Sequence, residues 1–89
     1  MSANLESTLT EYVIQRDKLH AAMDLADADP SEVSIHSLGT TFNGFTQTVG
    51  RCLQALRHGK LFGKAKQVEA ESLLLRQRHD SIRLNWDRR

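Results

Sequence analysis

Seven positions fix most of what this chain can fold into: Ile35, Leu38, Phe42, Phe45, Val49, Cys52 and Leu56 recur at alternating steps of four and three, and all seven are apolar. That period places them on one stripe of an α-helix. The stripe crosses residues 33–50, eighteen consecutive positions without Asp, Glu, Lys or Arg, in a chain that is 26% charged. A helix lacking charge on every side is expected to be buried or to meet another surface.

A second reading competes over residues 34–50. Asn43-Gly44 suits a type I′ turn, and a hairpin around it would pair Phe42 with Phe45, Thr40 with Gln47 and Leu38 with Val49. Three glycines and four threonines between residues 39 and 50 would cost a helix about 4–5 kcal/mol relative to alanine. The helical phase nevertheless runs unbroken into RCLQALRHG, and a hairpin gives Phe42 and Leu56 no reason to share a register. Helix is therefore the expectation, stable only when tertiary burial supplies what local preference lacks.

Two further stripes flank it. Leu5, Leu9, Tyr12, Arg16, Leu19, Met23 and Ala26 follow the same spacing, with only Arg16 out of character. Thr8 with Glu11, or Asn4, is a candidate cap for this first helix. Leu61, Ala65, Val68, Ser72, Leu75, His79, Ile82 and Trp86 form the third stripe, which Leu73 and Leu74 are expected to widen. Between the first two, Asp29-Pro30-Ser31-Glu32 reads as N-cap, first helical residue and capping-box acid. Arg57, His58 and Gly59 mark the end of the second helix, with Gly59 expected in the left-handed conformation.

The chain thus reads as one all-α domain over residues 1–89, with helices at about 4–28, 30–58 and 61–87. Either a small three-helix bundle or a helical hairpin with coiled-coil-like heptad packing fits, depending on whether residues 59–63 reverse the chain or only kink it. At 89 residues a single core is close to the lower limit of self-sufficiency, so an oligomer or a protein partner is expected.

The total charge of +1 conceals opposed halves: two basic and seven acidic residues up to Gly50, ten basic and four acidic after it. In a bundle the acidic first helix would run beside the basic third, and the two would screen each other. If they do not, Lys60, Lys64, Lys66, Arg76 and Arg83 are the candidate contacts for a polyanion, making nucleic-acid binding the alternative function.

No catalytic, cofactor or metal site is expected. Gly59-Lys60-Leu61-Phe62-Gly63-Lys64-Ala65 has one residue too few between its glycines for a phosphate-binding loop and Ala65 where Ser or Thr is needed. His20, His36, His58 and His79 are too far apart in sequence to form a local zinc pair. Cys52, the single cysteine, sits on the apolar stripe and reads as a small buried hydrophobe. One cysteine precludes an intrachain disulfide and, together with an N-terminus lacking the pattern of a secretory signal, points to the cytoplasm. The polar groups within residues 33–50 make a membrane span improbable on physical grounds.

The expected function is a helical protein–protein interaction module, an adaptor, chaperone-like or assembly subunit. Its partner interface is expected on the second helix: Leu38, Phe42, Phe45 and Val49 as apolar anchors, with Gly39 and Gly50 permitting close approach. The two glycines belong to a second stripe, Gly39, Asn43, Thr46 and Gly50, of small or polar residues.

Overall fold

The computed structural model describes residues 2–88, with side chains from Leu5 onward. Three helices account for nearly all of it: α1 (Ser2–Ala28), α2 (Glu32–His58) and α3 (Phe62–Asp87). There is no strand among the described residues, so the helical reading of residues 34–50 holds and the hairpin does not form.

The chain reverses twice to give an up-down-up bundle of about 47 × 19 × 15 Å. Residues near the start of α2 meet the end of α3, as Gly39 does Arg83, while Arg57 at the end of α2 meets Glu69 near the start of α3. The question left open at residues 59–63 is answered by a true reversal. α2 packs extensively against α1 and α3, whereas α1 and α3 touch least. It is therefore the central helix, as its uncharged sequence demands.

All seven residues of the α2 stripe enter the core or its margin: Leu38, Cys52 and Leu56 are fully buried, and Phe42 is half-buried. From α1 come Tyr12, Leu19, Met23 and Ala26; from α3, Ala65, Val68, Leu75 and Ile82. Burying a side chain of this kind contributes about 1.5–3 kcal/mol, which offsets the poor helix preference of the Gly- and Thr-rich stretch. Leu73 and Leu74 depart from expectation. They are 55% and 66% exposed and lie on the outside of α3 instead of widening its core face.

Three cap assignments also shift. Thr8 lies inside α1, which starts at Ser2, and the Asn4 side chain is outside the described set. α2 begins two residues later than its Asp-Pro signal, with Ser31 as N-cap. The Ser34 backbone N–H donates to Ser31 Oγ at 3.1 Å, and the Ser31 N–H donates to Ser34 Oγ at 2.9 Å. Serine at the third position thus closes the box that Glu32 was expected to close, and Pro30 stays in the connection.

At the other end Gly59 is not left-handed (φ −80°); Lys60 is, with φ 61°. The Leu61 N–H donates to the Leu56 carbonyl at 2.8 Å and the Lys60 N–H to the Arg57 carbonyl at 3.0 Å. These two bonds make a Schellman termination whose left-handed residue is a lysine. The glycine stands one residue too early to relieve it.

Candidate functional site

A groove of about 370 Å³ lies between α2 and α3. Its floor is Phe45 and Val49, held by the core beneath them. Thr46 forms the α2 bank, and Ser72, Leu73 and Arg76 the α3 bank. Phe42 closes one part of the wall, its ring stacked on His79 and lying 6.0 Å from the Arg76 guanidinium.

Of the small-residue stripe of α2, Thr46 lines this groove. Asn43 and Gly50, three and four residues to either side of it, are exposed, and nothing lies within 4 Å of the place a Cβ would occupy at Gly50. Gly39 has a different role, because Arg83 Nη1 lies 3.6 Å from where its Cβ would be. The Arg83 Nε is buried and has no hydrogen-bond partner.

The α1 side of α2 carries a close approach that heptad counting misses. A Cβ at Gly44 would stand 3.3 Å from Gln15 Oε1, and Thr48 is buried to 1% exposure, its hydroxyl donating to the Gly44 carbonyl at 3.0 Å. Both residues lie off the stripes read from sequence, on the flank nearest α1. The Gly-to-Thr spacing of four was the signal.

The expected interface residues are therefore divided between two roles. Leu38 belongs to the chain's own core at 0% exposure, Phe45 is a core residue at 2% exposure whose edge forms the groove floor, and Gly39 is covered by Arg83. Phe42 and Val49 line the groove while still packing inward, and Gly50 faces outward. Elsewhere on α2 the most exposed large apolar residue is Val33, at 79%, and Leu73 of α3 stands exposed at the groove.

The basic residues do not form one surface. Lys64 lines a separate hollow of about 230 Å³ with α1 residues, whereas Arg76 and Arg83 approach α2. Lys60 sits in the turn, and Lys66 is exposed on α3. Arg78 is held by Asp24 and Asp27 at 2.8 and 2.9 Å, so part of the acid–base asymmetry is neutralised between α1 and α3 as the bundle reading implied. Arg16 runs the other way, reaching Glu71 of α3 at 3.5 Å.

Glu71 also accepts the hydroxyl proton of Tyr12, which is 4% exposed. Burial, and then the carboxylate beside it, pushes the Tyr12 hydroxyl well above the usual phenol range. Burial likewise raises the Cys52 thiol, leaving it poorly suited to nucleophilic work. Among the described residues no three His, Cys, Asp or Glu side chains are grouped to hold a metal ion, and no helix is long and apolar enough to cross a membrane.

No protein-family model, curated protein or solved structure matches this chain. The groove's geometry is thus the ground on which a functional reading stands.

Proposed function

We propose that this protein is a cytoplasmic helix-docking module, and that the α2–α3 groove receives a helix of another protein. The observation that carries this reading is the pairing of an apolar floor, Phe45 and Val49, with an uncharged α2 bank at Thr46, one helical turn from which Gly50 is open. Amphipathic helices bind grooves of this kind by setting apolar side chains into the floor, and small residues on a bank let the two backbones approach. Desolvating the bank costs little, because it contains no formal charge that would need a partner.

A polyanion reading calls for a basic patch or stripe, whereas Lys64 lines the hollow shared with α1 and Arg76 lines the groove shared with α2. We propose no catalytic role.

The groove is tested by retention of proteins from native extract on the immobilised chain and on two variants of matching helicity. Thr46→Arg with Leu73→Asp blocks the groove; Ile14→Ser with Leu25→Ser alters exposed apolar residues of α1. A protein lost from the first variant and retained by the second supports docking in the groove. Equal retention by the blocked variant and the wild type removes the groove from the function.

A further inference from the structure

We infer that the occupant of the α2–α3 groove is an acidic amphipathic helix of a partner protein, an inference that rests on the docking reading and adds the partner's charge. Arg16, Arg57 and Arg78 each find a carboxylate within the chain. Arg76 and Arg83 do not: among the described residues neither has a carboxylate within ion-pair distance.

Both arginines are drawn toward α2. Arg76 lies over the Phe42 ring and lines the groove, and Arg83 lies against Gly39 with its Nε buried and unpartnered. Being seven residues apart on one helix, they stand about 10.5 Å from each other along its axis, the separation of two carboxylates seven residues apart on a docked helix.

The carboxylates nearby do not cancel this charge. Glu69, the one acid lining the groove, is paired with Arg57. Asp80 is engaged by His79 Nδ1 at 3.0 Å, and Asp80 and Asp87 each follow their arginine by four residues, the weaker order for a helical ion pair. Since the α2 bank is neutral, the groove presents an apolar floor with the Arg76 guanidinium at its edge, and Arg83 lies two helical turns further along α3, beside Gly39. A helix with a leucine ridge and acidic residues along one flank meets both features. A phosphate backbone meets only the cations and leaves Leu73 and the floor unused.

The test uses the full chain and two fluorescent helical peptides of about 20 residues, long enough to span about 30 Å. One carries a leucine ridge flanked by Glu, the other the same ridge flanked by Lys. The acidic peptide is expected to bind about tenfold or more tighter, to weaken as salt rises, and to lose that advantage in Arg76→Glu with Arg83→Glu. Thr46→Arg should abolish binding of both peptides, and circular dichroism confirms that each variant keeps its helices.

Equal affinity for the two peptides, with both lost in Thr46→Arg, overturns the acidic partner while leaving the groove as a docking site. Failure of both peptides to bind, or binding that Thr46→Arg does not touch, overturns both readings. A short duplex DNA that displaces the acidic peptide through the same two arginines overturns the inference in favour of a polyanion. A concentration-dependent dimer that Thr46→Arg abolishes assigns the groove to a second copy instead.

Discussion

Phe42 and His79 lie face to face across α2 and α3, their ring centroids 3.8 Å apart and their planes within 7°. The contact joins the central helix to the third at the margin of the groove, and the His79 side chain is only 12% exposed. Ring overlap, more than the imidazole's hydrogen bond to exposed Asp80, fixes the local spacing of the helices. His79→Phe should therefore keep stability within about 0.5 kcal/mol, whereas His79→Ala should lose about 1–2 kcal/mol. Phe42→Ala, which also removes core packing, should lose about 2–3 kcal/mol. Urea denaturation of the three variants checks the order; equal losses for His79→Phe and His79→Ala would show that the stack contributes nothing.

Tyr12 makes stability depend on alkaline pH. Its folded-state hydroxyl is raised above the ordinary value of 10.0, so the folded chain holds this proton more tightly than the unfolded chain does. The resulting stabilisation is complete below the unfolded value and declines as pH rises through the raised folded one. Tyr12→Phe should cost about 1–2 kcal/mol at neutral pH through loss of the bond to Glu71. The gap between wild type and variant should then narrow above pH about 10. A constant gap between pH 8 and about 11 would contradict the assignment of the titration to Tyr12.

The lysine in the left-handed turn is an opportunity for stabilisation. A residue with a Cβ pays about 1–2 kcal/mol in that conformation, part of which glycine returns as greater freedom in the unfolded chain. Lys60→Gly should raise stability by about 0.5–1 kcal/mol. The expected sign is a higher denaturation midpoint with an unchanged slope; a lower midpoint would show that the Lys60 side chain contributes more than its strain.

Gly50 separates stability from docking. Because nothing lies within 4 Å of its missing Cβ, Gly50→Ala should stabilise the free protein by about 1 kcal/mol through helix preference, raising Tm by about 4–8 °C. If a partner helix approaches this bank closely, the same methyl should weaken its binding. Calorimetry and a titration with the acidic peptide read the two effects on one sample, and a variant that is both more stable and unimpaired in binding would place the helix away from Gly50.

Much of this architecture was legible in the heptad spacing. The α2 stripe from Ile35 to Leu56 predicted which side of that helix turns inward, because a period of about 3.6 residues fixes relative direction whatever lies opposite. Direction alone does not say how far a neighbour's cover extends. Leu73 and Leu74 sit beside the α3 core line and were expected within it, but Leu73 borders the open groove between α2 and α3, and Leu74 also lies uncovered. Capping signals suffered from redundancy: Asp29, Ser31 and Ser34 can all accept a backbone N–H, and only the path of the connection selects Ser31. The groove was the least legible feature, since it depends on the rotation of α2 against α3, which Phe42, His79 and Arg83 set through contacts between residues distant in sequence.

An odd number of antiparallel helices leaves residue 2 and residue 88 at opposite ends of a body 47 Å long. Tension drawn between those points would load the helix contacts in shear along their length instead of peeling them apart from one end. Shear requires many side chains to release together, so the helix contacts would resist such a pull along their whole length rather than opening one pair at a time.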